Sequence, residues 1–301
     1  MAKVYPSQVE WPTVAVAFVI YSGWLSVIFY HETLGNFLSI LALAIVIAWH
    51  GSLQHETVHG HPFRSELANE ILGMIPINPC HPYRVYRRSH LRHHTCVDLT
   101  NPGTDTESFF ITADSWRKLS PISKSFLLFH QTLLGRLLIG PIFQVISIVR
   151  HDISEVRSGD GRLLRWWLIH LATSTLLFFG LVRLGGFSFW HYLIATYLGI
   201  SLTLVRTYCE HKWTEQEFTR SATVSSKGFW ALLFLNNNLH DTHHADPNVP
   251  WYELPKRAIE LESTTESMNG AGHYLGYFEI FRRYLIRPYT HPVHPEEKVL
   301  Y

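Results

Sequence analysis

The sequence predicts an all-α integral membrane protein, with four transmembrane helices in two hairpins, interfacial helices, and a cytosolic cap. Three observations carry that prediction. Charged residues make up 16% of the chain, well under the roughly 25% usual for a soluble domain. The apolar residues are gathered into runs of bilayer length. The 20 histidines are not scattered evenly, and three clusters of them stand close to the ends of those runs.

Pro12 to Tyr30 is nineteen residues without a charge, near the ~20 that cross a bilayer as helix. After a turn at His31 to Thr33, the chain returns through 34–54 and runs directly into His55. A helix from Asn36 to His59 is ~36 Å long, more than the ~30 Å hydrocarbon layer, so its last turns emerge beyond the lipid. The polar stretch from His61 to Pro121 is rich in arginine, as cytoplasmic loops are. Phe126 to Val149 is apolar but carries Arg136 and Pro141. A crossing there would put the later histidines on the opposite face from the earlier ones, so the segment reads as an interfacial or re-entrant helix. Spans at 163–184 and 187–208 follow, joined at Gly185-Gly186, and the second leads to His211. Phe229 to Leu239 is too short to cross. No linker or long repeat divides the chain, and residues 1–301 read as a single membrane domain.

The histidine clusters have helical spacing. His55 and His59 are one turn apart in HETVH; His90, His93 and His94 in HLRHH, and His240, His243 and His244 in HDTHH, stand at i, i+3 and i+4, which share one face of a helix. Neutral imidazole suits iron, zinc, copper and nickel. Eight rings are too many for one ion, so the clusters imply two metals with positions left for water or oxygen. His211, delivered at a helix end, is a candidate ninth ligand. Acids beside the clusters can accept the far N–H of a ligating ring: Glu56, Asp98, Asp105, Glu107, Glu210, Asp241 and Asp246, with the amide of Asn237 alongside them. Nothing beyond the metal centre reads as catalytic.

The net charge of +1 gives no nucleic-acid signal. Cys80, Cys96 and Cys209 lack CxxC spacing and are odd in number, as expected of reduced thiols facing the cytosol. No cleavable signal peptide is expected.

The triplet HxxxH, HxxHH and HxxHH, each beside a hydrophobic hairpin, resembles the membrane fatty acid desaturase superfamily, which also holds acyl hydroxylases and alkane monooxygenases. QHETVHGHP at 54–62, RTYCEH at 206–211 and NNNLHDTHHADPNVPWYELP at 236–255 resemble its bacterial acyl desaturase-like members. The resemblance implies a non-haem centre of two irons that activates oxygen to break an unactivated C–H bond. Its ligands would be His55, His59, His90, His93, His94, His211, His240, His243 and His244. In place of an expected Asp-Pro-Glu-Ser run, the chain has Asp105-Thr-Glu107-Ser108. The sequence has no glycine-rich dinucleotide fingerprint, so electrons would come from a separate ferredoxin or cytochrome with its reductase. Arg84, Arg87, Arg88 and Arg92 offer a dock for an acidic donor, or equally a contact with anionic lipid. The substrate would be a membrane lipid or acyl chain, and the location a bacterial inner membrane with the active site on its cytoplasmic side.

Three rivals stand beside that reading. A hydroxylase of the same superfamily shares the first hydrogen abstraction. HETVH also fits the HExxH of a zinc metallopeptidase, with Glu56 as general base, but it leaves both HxxHH clusters without a role. A metal transporter fits intramembrane histidines, yet these stand at helix ends, and so many imidazoles would hold an ion too tightly to release it.

Overall fold

A computed structural model describes residues 8–263, 268 and 270–297. Helices account for nearly all of the regular structure, with two short strands among the described residues. The chain divides into two compact units, one of residues 2–88 and 141–203, the other of residues 89–140 and 204–301.

The first unit is built on α1 (Trp11–Phe29), α3 (Asn36–Val58) and α9 (Gly161–Gly185), with most of α10 (Phe189–Thr207). The one-turn α2 (His31–Leu34) and Gly35, at φ 75°, reverse the chain between α1 and α3. One hydrogen bond ties α1 to α10, with Trp24 Nε1 donating to Tyr192 Oη at 3.1 Å, and Tyr192 Oη in turn donates to the carbonyl of Ile77 at 2.7 Å. α10 crosses α3 closely at Gly199, where a Cβ would stand 2.7 Å from Ile47 Cγ2 and 3.0 Å from the Ala44 carbonyl oxygen. α9 begins with Asp160 accepting from the N–H groups of Arg162 and Leu163, the usual device for capping a helix N-terminus. It ends at Gly186 in the left-handed region, a conformation that favours glycine. That end meets the end of α1, where a Cβ on Gly185 would meet Ile28 Cγ2 at 2.7 Å, and the rings of His31 and Phe187 are 5.2 Å apart. At the other end of α1, Glu10 accepts from His61 Nδ1 at 2.8 Å.

Among the described residues, four helices are long and apolar enough to cross a membrane: α1, α3, α8 (Leu133–Arg157) and α9. This is an all-α integral membrane protein. α1, α3 and α9 match expected spans within a few residues. The other member differs from expectation. α10 forms over the expected residues, but Trp190, His191, Tyr192, Thr196, Tyr197 and Arg206 lower its hydropathy below that of the other four. The segment expected as one interfacial helix from Phe126 to Val149 is broken at Gln131 and Thr132 into α7 (Pro121–His130) and α8. Thr132 Oγ1 caps the new helix by accepting from Gly135 N–H, and α8 extends through Pro141 to Arg157.

In the first unit, α4 (Glu66–Met74) pairs with the beginning of α5 (Tyr83–His94), Glu70 with Arg84 and Glu66 with Arg87. Arg88 binds Glu155 at 3.2 Å, and Asp160 more closely still. The second unit begins with the histidines of α5. It includes α6 (Ala113–Lys118), a two-stranded parallel sheet of β1 (Thr223–Val224) and β2 (His273–Tyr274), α11 (Phe229–Leu233), α12 (His240–Ala245), α13 (Leu254–Glu260) and α14 (Tyr277–Tyr284). Its last residues lie along the loop after α5: Ile111 bridges Val293, Thr100 Oγ1 lies 3.2 Å from His294 Nε2, and Ala113 N–H donates to Glu297 at 2.7 Å.

Candidate metal centre

Four rings in the second unit form a closed circuit of Nε2 atoms. His93 stands 3.0 Å from His211, His211 3.0 Å from His240, His240 3.1 Å from His244, and His244 3.3 Å from His93. All four nitrogens lie within 4.8 Å of one another. A square with that edge has a half-diagonal of about 2.2 Å, near the roughly 2.0–2.1 Å of an imidazole–metal bond. A tetrahedron of such bonds would have edges of about 3.4 Å, so the circuit suits adjacent positions of a tetragonal or octahedral ion.

In three of these rings the outer nitrogen determines what the inner one presents. His93 Nδ1 donates to Asp105 Oδ1 at 2.7 Å, His211 Nδ1 to the Arg220 carbonyl at 3.3 Å, and His240 Nδ1 to Asn237 Oδ1 at 3.3 Å. With the proton on Nδ1, each Nε2 is left with a bare lone pair aimed at its neighbours. Converging lone pairs repel unless a cation lies between them.

His90, His94 and His243 make a second set. His94 Nε2 is 3.1 Å from His90 Nε2 and 3.0 Å from His243 Nε2, while His90 Nδ1 donates to Glu107 at 3.1 Å. Each HxxHH thus gives its i and i+4 rings to one set and its i+3 ring to the other. On a helix, i and i+4 are about 40° apart, whereas i+3 lies about 60° to the other side of i. In the first unit, His55 and His59 are both buried at the end of α3, with ring centroids 4.9 Å apart.

The electrostatics suit cations. Burial, reinforced by His93, lowers His211 to about 3; burial also holds His240 and His244 well below their ordinary value, so these rings are neutral. For His93 burial acts in the same direction, but Glu107 and Asp105 prevail and raise it. Burial pushes Asp105 and Glu107 up, but the neighbouring histidines hold both below the ordinary carboxylate range. Ionised carboxylates packed against mostly neutral rings are costly without a compensating positive charge, and a metal supplies one.

The remaining predicted residues divide. Glu56 is buried beside His55, at 3.8 Å from its Nδ1. Glu210 lies 2.7 Å from Arg206 and 3.5 Å from His240 Nδ1, and burial pushes it up to about 7. Asp241 is buried on α12. Two acids serve other partners: Asp98 binds Arg220, and Asp246 accepts from Arg257 Nε at 3.1 Å. Of the four arginines expected at a docking face, Arg84, Arg87 and Arg88 are occupied by carboxylates of this chain, while Arg92 is exposed. Residues not anticipated are Asn236, which donates to the Trp251 carbonyl at 2.9 Å, Asn238, which donates to the Val224 carbonyl at 2.7 Å, and the buried Arg220. Asn236 follows Leu235 in the left-handed region, φ 54° after 47°. That double turn redirects the chain from α11 into α12, and NNN at 236–238, one residue before HDTHH, is its sequence signal.

Fold and site together define a class: a helical membrane protein with histidine sets suited to hold metal. A family model for fatty acid desaturase matches residues 32–281, most of the chain, and the protein belongs to that family. No curated protein matches it. The family and the histidine sets make it a desaturase-like oxidoreductase.

Proposed function

We propose that the chain is a membrane-bound non-haem diiron enzyme that uses dioxygen and electrons from a separate ferredoxin or cytochrome to desaturate an acyl chain. The circuit of four Nε2 atoms carries this reading. His93, His211, His240 and His244 would hold one iron. His90, His94 and His243 would hold the other, and the family resemblance adds His55 and His59 to the ligands. When bound, the iron pair supplies the oxygen activation that breaks an unactivated C–H bond.

The chain's own residues prepare the site. Asp105, Glu107 and Asn237 fix ring orientation through Nδ1 and keep the inner nitrogens free of protons. The carboxylates of Asp105 and Glu107 would offset part of the metal charge. The rings are buried or half-buried, which limits water at the site and suppresses side reactions. The HExxH rival leaves the four-ring circuit without a role, since neither His55 nor His59 belongs to it.

The fold supports four crossings by α1, α3, α9 and α10, with α8 on the membrane surface. α9 ends against the end of α1, and α10 begins there, beside His31. α10 must then cross to bring His211 to the side of the boxes, its lower hydropathy notwithstanding. Between His94 and α8, the helices α6 and α7 are too short to cross, and Arg136 and Pro141 within α8 suit a helix that lies along the membrane surface. We assign the side of the histidine clusters to the cytoplasm of a bacterial inner membrane, from the arginine-rich loops.

Lipid mass spectrometry of a host expressing the parent or His240→Ala tests the reaction. Acyl products two hydrogens lighter should appear with the parent and be absent with the variant. A gain of oxygen instead would assign a hydroxylase.

A further inference from the structure

Arg220 is one of the largest fully buried side chains, 2% exposed, and it lies outside every motif of the sequence. Its guanidinium joins two distant segments to a nearby one. Nη1 binds Asp98 and donates to the Leu99 carbonyl at 3.0 Å, Nε donates to the Thr214 carbonyl at 3.0 Å, and Nη2 reaches Glu296 at 3.5 Å. A buried arginine is held where several acceptors converge on its planar fork.

Its backbone faces a ligand. The Arg220 carbonyl accepts from His211 Nδ1 at 3.3 Å and from Lys212 N–H at 3.1 Å, and Ser221 bridges His211. The guanidinium therefore sets the position of the oxygen that orients the His211 ring. It also fixes Leu99, next to Thr100, whose N–H donates to Asp105 Oδ2 at 2.8 Å while Asp105 Oδ1 holds His93. Two of the four rings in one set depend on it. The other set is reached only one step further, where Glu107 N–H donates to Asp105 and Glu107 accepts from His90.

We infer that Arg220 is a positioning residue for one metal and not the other: it presets His211 and His93 for the ion shared with His240 and His244. This rests on the two-metal reading proposed above. The two irons are then unequal in what supports them, and one can be weakened while the other stays.

Anaerobic titration of the purified, metal-free full-length chain with Fe(II), and with Co(II) as spectroscopic probe, tests this. The parent should bind two ions. In Arg220→Gln, one class should weaken by 10- to 100-fold, the effect of removing an outer partner of a ligand, and the other should keep its affinity. The single-metal Co(II) spectrum of the variant should match that of His211→Ala and differ from that of His59→Ala. Glu296→Gln and Asp98→Asn, each removing one partner of a partly exposed pair, should weaken the same class by a smaller factor. Arg220→Lys, which keeps the charge, should restore part of it. Equal loss of both metals in these milder variants, or no change in any of them, overturns the inference. A parent that does not bind two metals overturns the two-metal reading instead.

Discussion

Asp105→Asn keeps the shape of a side chain while removing its charge, at a point where one carboxylate serves three donors. Oδ1 accepts from His93 Nδ1 at 2.7 Å and from Glu107 N–H at 2.9 Å, and Oδ2 accepts from Thr100 N–H at 2.8 Å. An amide has one oxygen, so one of its faces must set an NH2 group against an N–H. The bond to His93 falls from the ~1.5–3 kcal/mol of a charged acceptor to the ~0.5–1.5 kcal/mol of a neutral one. That difference of about 1–1.5 kcal/mol, with the added cost of an NH2 group set against an N–H, brings the loss in metal affinity to about 1.4–2.7 kcal/mol, the 10- to 100-fold of losing an outer partner. Anaerobic Fe(II) titration of the metal-free protein reads it directly. Asp246→Asn is the control, because its carboxylate serves Arg257 and no ring, and it should leave both affinities unchanged. A change of less than twofold in Asp105→Asn would refute the claim that this carboxylate orients His93.

Other predictions concern the frame around the site. Because Arg84, Arg87 and Arg88 are occupied by carboxylates of their own chain, Arg88→Gln should lower the melting temperature without altering the KM for the electron donor, whereas exposed Arg92→Gln should raise that KM in a steady-state donor titration. Gly199→Ala places a methyl 2.7 Å from Ile47 and 3.0 Å from a backbone oxygen; it should destabilise by about 1–3 kcal/mol, seen as a lower melting temperature, while Gly180→Ala, which meets nothing within 4 Å, should not lower it. Burial raises the Asp98 carboxyl, but hydrogen bonds from Arg220 and Asn101 hold it below the ordinary carboxylate value. A depressed carboxyl stabilises the fold fully above its unfolded value and loses that contribution as pH falls through the folded one. The melting-temperature gap between parent and Asp98→Asn should therefore be constant above pH ~5 and shrink below pH ~4; a gap that grows on acidification would contradict the sign.

Much of the site was legible in sequence because helical spacing is a geometric rule. Rings at i, i+3 and i+4 must share a face, and the acids Asp105 and Glu107 and the amide of Asn237, close to the clusters in sequence, lie within hydrogen-bond reach of rings. The assignment of rings to sets was not legible, because it depends on how α5 and α12 face each other within their unit. Arg220 was invisible for a related reason. It is an isolated cation in a polar loop, and its meaning lies in partners 122 and 76 residues away. Asp98 and Asp246 were placed beside rings by sequence proximity alone, and each turned to an arginine instead. In the membrane part, uncharged runs marked α1, α3 and α9. α8 and α10 were harder, since α8 carries bilayer-length apolar content around Arg136 and Pro141, and α10 hides its depth behind aromatic and hydroxyl side chains.

Elemental analysis of the purified chain, reconstituted anaerobically with iron and freed of loosely bound ions, bears most directly on the central claim. The account predicts two irons per chain in the parent and close to one after His240→Ala, which removes a member of the four-nitrogen circuit. A single tightly bound zinc in the parent, or iron content that His240→Ala leaves untouched, would contradict it.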